Sequence, residues 1–157
     1  MNSTSDSTAP ITRGRRALYL AVAMLSIVGL AETTYLTATH LAGAHVVCVI
    51  AANCSQVLGS VYASFRGLPL AGVGSVGYFA AFSFATLACF GYRRASTLLA
   101  LTVATMFLTT LWLLYLQAFV LHAFCDYCLF AAALIFLLAG LLIAAPSPRR
   151  TEQTNDA

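Results

Sequence analysis

The chain has 157 residues, of which 61% are hydrophobic and 8% are charged, with a mean hydropathy of +0.87. A soluble domain carries about 25% charged residues, so this composition excludes a wetted globular surface and predicts an integral membrane protein. The formal charge of +3 comes from eight arginines and no lysine against five acids. That balance is too small and too dispersed to suggest nucleic-acid binding.

Residues 1–10 are polar and Ser/Thr-rich, three arginines follow at Arg13, Arg15 and Arg16, and residues 1–16 are expected to form a disordered cytoplasmic N-terminus. The apolar stretch from Ala17 to about Leu41 follows. Its basic flank resembles a signal peptide, but the run is too long and further spans follow, so it reads as a first transmembrane helix. A more polar segment, 42–68, carries Cys48, Cys54, Ser60 and Arg66. The second span runs from about Pro69 to Gly91, with proline allowed in the first turn. After the short turn Tyr92-Arg93-Arg94, the third span covers about Ala95 to Val120 without a charge. The connection 121–124 leads into a fourth span, about Cys125 to Ala145, and a polar tail over 146–157. Each run is long enough for the ~30 Å hydrocarbon core. The expected architecture is all-α: a four-helix membrane bundle over 17–145 with an outer loop at 42–68.

The arginines orient it. Seven of the eight fall on the side shared by both termini and the second-to-third turn, and Arg66 alone is opposite. The positive-inside rule then predicts cytoplasmic termini and places Cys48, Cys54, Cys125 and Cys128 on the outer face. Disulfides form and persist on that face of a bacterial inner membrane, or in the ER lumen.

Phe124-Cys125-Asp126-Tyr127-Cys128-Leu129 is the segment richest in chemistry. Two residues between cysteines put both sulfurs on one helical turn. A thiol at a helix start feels the positive end of the macrodipole, which favours thiolate. The alternatives are half of a zinc site or two small hydrophobes. Cys48 and Cys54 form a second pair, with five residues between them, in the loop. Two pairs on one face make a relay through mixed disulfides, against a static loop disulfide or a four-cysteine zinc site. Glu32 is an acid inside a span, which is costly and usually faces the bundle interior. It is a candidate for proton transfer or substrate binding, against an acid snorkelling to the surface. His40, His45 and His122 cluster near the outer face and single out none. Gly72-Val73-Gly74-Ser75-Val76-Gly77 matches GxGxxG but lies within a span, where small residues serve close helix packing. Cys89 reads as packing.

Taken together, Glu32-Thr33-Thr34-Tyr35-Leu36-Thr37-Ala38-Thr39-His40, Cys48-x5-Cys54-Ser55-Gln56-Val57-Leu58-Gly59-Ser60, Gly67-Leu68-Pro69 and Cys125-x-x-Cys128 resemble the vitamin K epoxide reductase family, above all its bacterial homologues. The resemblance covers about residues 17–145. It implies a four-helix bundle around a quinone, menaquinone or ubiquinone, with electrons entering at the loop cysteines. It implies that Cys54 exchanges with Cys125, that Cys128 faces the quinone, and that Cys48 completes the loop disulfide. Ser60 matches the family's loop serine, near the quinone or supporting the loop, although a turn hydroxyl reads equally well. Ala132 stands where the vertebrate enzyme has a tyrosine, and the second span offers no asparagine, which points to quinone rather than epoxide reduction. Bacterial relatives often carry a fused thioredoxin-like domain. The sequence stops at Ala157, so the expected partner is a separate periplasmic thioredoxin-fold thiol protein. Phe65, Trp112, Tyr115 and Phe119 are candidates to line the quinone cavity, although core packing explains them as well. An unrelated four-helix quinone enzyme carries its Cys-x-x-Cys in the first outer loop, the reverse of the order here. The other contender is a membrane scaffold or transporter subunit with structural disulfides.

Overall fold

The computed structural model describes residues 13–43, 64–65 and 68–144. Cys48, Cys54, Ser60, His45, the side chain of Phe65 and the tail lie outside the described residues. Four helices account for nearly everything described: α1 (Arg13–Leu41), α2 (Leu70–Cys89), α3 (Arg93–Tyr115) and α4 (Asp126–Ala144). All four are long and apolar enough to span a membrane. A two-residue antiparallel pairing, β1 (Ser64–Phe65) with β2 (Leu68–Pro69), precedes α2.

The helix limits follow local chemistry. α1 starts four residues before the expected Ala17, because arginine is a good helix former and the polar turn extends the helix beyond its apolar run. It stops at Gly43, whose φ of +63° closes the end, with its N–H donated to the His40 carbonyl at 3.2 Å. Gly91, at φ +94°, makes the turn that lets α3 begin at Arg93. α3 passes directly into a π-helical turn at Leu116–Val120. The chain then runs without helix to Cys125.

Small residues set the packing. A Cβ added to Gly29 of α1 would overlap the Tyr78 ring of α2, and one added to Gly74 would sit 3.3 Å from Thr33 Cγ2. Moving forward from Gly29 to Thr33 on α1 means moving backward from Tyr78 to Gly74 on α2, so the two helices are antiparallel and in intimate contact. Part of the apparent dinucleotide motif is therefore a packing seam. Tyr78 also donates its hydroxyl to the Ala131 carbonyl of α4 at 3.2 Å, tying three helices together. At the far end of this pair, the Cys89 thiol points to the Arg16 carbonyl at 3.8 Å and packs against the core.

The core is small-residue-rich: Val22, Ala23, Ala81, Ala85, Leu99, Val103, Ile135 and Leu138 are buried. Hydroxyls within the spans donate to backbone one turn earlier, as in Ser26 to Val22 at 2.8 Å and Thr33 to Gly29 at 2.8 Å. No polar hydrogen is then left facing hydrocarbon at these positions.

Candidate redox site beside a bundle cavity

The ends of α1 and α3 and the starts of α2 and α4 share one end of the bundle. The described arginines, 13, 15, 16, 93 and 94, occupy the other. The dithiol lies at the arginine-free end. Cys125 is the residue immediately before α4, and its carbonyl accepts the first helical hydrogen bond, from Leu129 N–H at 3.0 Å. It is thus the N-cap, and its sulfur performs the capping that an oxygen usually does. Cys125 is fully buried, packed with Ala123, Leu121, Tyr127 and Cys128.

Both cysteines are free thiols. A hydrogen bond from the Cys128 side chain pulls the Cys125 thiol below its ordinary pKa. The backbone N–H groups of Cys128 and Tyr127 add to this, while burial and the neighbouring Asp126 charge oppose it. The dithiol is therefore asymmetric: Cys125 is the thiol whose ionised form is favoured, and Cys128 is its donor.

A cavity of about 590 Å³ opens between the helices at this end. Leu36 of α1, Val73, Gly74 and Gly77 of α2, Leu101, Met106 and Leu113 of α3 and Ala131 and Ile135 of α4 make it mostly apolar. Cys128 lines this cavity and Cys125 does not. Almost one helical turn separates the two, and that turn carries Cys128 inward. Above it, the ring of Tyr127 meets Tyr35 of α1 at 6.2 Å between centroids.

Glu32 is half-buried on α1. Both of its carboxylate oxygens are buried and find no hydrogen-bond partner among the described residues. The carboxylate is close enough to act electrostatically on Cys125, Cys128 and Tyr78. It is not among the residues lining the cavity, where its neighbour Thr33 stands instead. His40 reaches the cavity from the end of α1, and His122 sits exposed at a positive φ of 46° in the connection before Cys125.

Two sequence expectations change. Trp112, Tyr115 and Phe119 do not line the cavity. They stack on one another along the outside of α3, with centroids 6.0 and 4.9 Å apart, and are exposed. The face of α3 that turns inward is the stripe through Leu98, Thr102, Thr105, Met106, Thr109 and Leu113. The aromatic edge is left for lipid, where such rings settle near the membrane interface. The second change is a residue that pattern reasoning passed over. Gln117, in the π-helical turn, is 3% exposed, lines the cavity and reaches Cys128 as a hydrogen-bond donor.

The family model described as Vitamin K epoxide reductase family matches residues 20–143, which takes in most of α1, all of α2 and α3, all but the last residue of α4, and the described residues that line the cavity. With a dithiol at the head of α4 beside an apolar cavity, in a chain of four membrane-spanning helices, the protein belongs to the vitamin K epoxide reductase family of multi-pass membrane oxidoreductases.

Proposed function

We propose that the protein oxidises a secreted thioredoxin-fold thiol carrier and passes the electrons, through Cys48/Cys54 and then Cys125/Cys128, to a membrane quinone. One observation carries this reading: of the two dithiol sulfurs, the one lining the cavity is Cys128, while Cys125 stands outside it at the head of α4. The cavity suits a quinone ring. It is apolar, of ligand size, and holds a buried amide oxygen, Gln117 Oε1, without a partner among the described residues. A quinone there supplies the acceptor for two electrons and two protons.

The chain's residues then have distinct tasks. The Cys54 thiolate attacks Cys125 of the Cys125–Cys128 disulfide, forming a Cys54–Cys125 bond and releasing Cys128 as thiolate. Cys48 attacks Cys54, closing the loop disulfide and releasing Cys125. The lowered pKa of Cys125 makes it a good leaving group at this step. Two electrons have now moved from the loop to the α4 pair. Re-forming the Cys125–Cys128 disulfide delivers them to the cavity. Glu32, whose two buried oxygens have no hydrogen-bond partner among the described residues and which acts electrostatically on both sulfurs, takes up the proton that Cys128 holds toward Cys125 and loses as the disulfide re-forms. Ser60, which lies outside the described residues, is proposed as a supporting hydroxyl of the quinone site.

The arginine distribution supports cytoplasmic termini and an outward-facing dithiol in a bacterial inner membrane, which tags at Met1 and Ala157 test directly. The function itself is tested on the purified protein in detergent. Quinone should co-purify, and a dithiol should drive quinone reduction. Absence of both would leave the family's fold with a structural role only.

A further inference from the structure

The cavity is lined by many hydroxyls, yet nearly all are already engaged. Thr102, Thr105 and Thr109 donate at 2.9 Å to the carbonyls of Leu98, Leu101 and Thr105. Thr33 and Tyr78 are committed to Gly29 and Ala131. Among the described residues lining the cavity, Gln117 alone combines full burial with a polar atom that has no partner. A buried amide that leaves its oxygen unmatched is costly in a membrane interior, and such a residue is expected to meet something polar in the space it faces.

The backbone holds it there by an unusual device. The Leu121 N–H bonds to the Leu116 carbonyl at 2.9 Å, five residues back, and the Ala123 N–H bonds to the Gln117 carbonyl at 3.2 Å. This wide turn buries Leu116 and Gln117 while Tyr115 and Phe119 on either side stay exposed. Without it, the apolar C-terminal end of α3 would offer the cavity no amide. Wide turns of this kind recur at functional sites because they re-aim one side chain.

We propose that Gln117 is the residue that recognises a quinone carbonyl beside Cys128. This rests on the reading of the cavity as a quinone site. One amide hydrogen faces the Cys128 sulfur and the second donates to the carbonyl oxygen, so a single side chain sets the distance between the two reacting groups. An amide also suits both redox states of the acceptor. A carbonyl needs a donor, which is the –NH₂. The hydroxyl of the reduced ring needs an acceptor, which is Oε1. A carboxylate at this position would serve only the second and would add a buried charge.

The test uses 2-methyl-1,4-naphthoquinone with the full-length protein in detergent, comparing wild type with Gln117→Met, which fills the same volume, and Gln117→Asn, which withdraws the amide by one methylene. Binding is read by the quinone retained with the protein after gel filtration, and the carbonyl bond by the infrared C=O stretch of the bound, ¹³C-labelled quinone. Wild type should lower that frequency relative to the quinone in hydrocarbon. Both variants should return it toward the free value and bind about tenfold more weakly. Diamide should still convert Cys125 and Cys128 to a disulfide in each, which reports an intact fold. Unchanged affinity and unchanged frequency in either folded variant would overturn the role of Gln117. No retained quinone and no bound carbonyl band in wild type would overturn the quinone reading beneath it.

Discussion

The ring of Tyr78 rests on Gly29 so closely that a methyl group on the glycine would overlap it. This contact joins α1 to α2, and the tyrosine hydroxyl then reaches Ala131 of α4. Gly29→Ala should therefore destabilise the bundle by about 1–3 kcal/mol, the usual cost of overpacking. Gly140→Ala in α4, where a Cβ meets nothing within 4 Å, should be neutral or stabilising by up to about 1 kcal/mol, because alanine is the better helix former. Thermal unfolding in detergent separates the two. A Gly29→Ala protein as stable as Gly140→Ala would remove Tyr78 from its central place.

The Cys125 thiol should ionise earlier than an ordinary cysteine. Its folded pKa is lowered chiefly by the Cys128 hydrogen bond. Below that value Cys125 is protonated and a weak leaving group. As pH rises through it, thiolate appears, before the ordinary thiol range near ~8.5. The sign for stability follows: the contribution of this thiolate to the reduced protein is present above the unfolded value and lost as pH falls through the folded one. Thiolate absorbance near ~240 nm should rise early in wild type and shift to higher pH in Cys128→Ala, which removes the main donor. An unshifted curve would mean that the backbone N–H groups alone hold the sulfur.

Glu32→Gln should keep the protein folded, since it removes a buried charge but preserves shape. If the carboxylate accepts the thiol proton, quinone reduction should slow by about 10²-fold or more while exchange between the loop and α4 continues. Stopped-flow measurement of the two half-reactions distinguishes them. Equal slowing of both would assign Glu32 to structure.

Cys48→Ala should trap the relay. With the resolving thiol gone, nothing displaces Cys54 from Cys125, so a Cys54–Cys125 disulfide should accumulate and Cys128 should stay free. Non-reducing peptide mapping reads the bond directly. A Cys54–Cys128 bond would exchange the roles of the two α4 cysteines, and no bond between the pairs in any single-cysteine variant would end the relay model.

Four spans and a dithiol at the head of the last one were legible because hydropathy and cysteine spacing act locally. Membrane helices also need little help from their neighbours to form. Which face of α3 turns inward was not legible. Trp112, Tyr115 and Phe119 share one face by their spacing, yet lipid is as apolar as a bundle interior, so hydrophobicity cannot distinguish inside from outside. Gln117 escaped for a related reason. It is the one amide in an otherwise apolar end of α3, and that solitary polar residue was the available signal. The wide turn that buries it leaves no mark in composition. The meeting of Glu32 with the dithiol was likewise hidden, since it depends on how α1 and α4 pack around Tyr78.

The π-helical turn makes the geometry of this site a matter of whole numbers. Each residue of an ordinary helix advances the side chain by about 100°, and the turn at Leu116–Val120 absorbs one residue more than a regular helix would hold there. Deleting a single residue from it would let α3 relax into regular register, swing every later position around the axis and shorten the tether to Cys125. No graded adjustment lies between the two arrangements. Variation in the length of this segment should therefore be forbidden even where variation in its side chains is tolerated, so that Ala118→Leu should be survivable and removal of Ala118 should not.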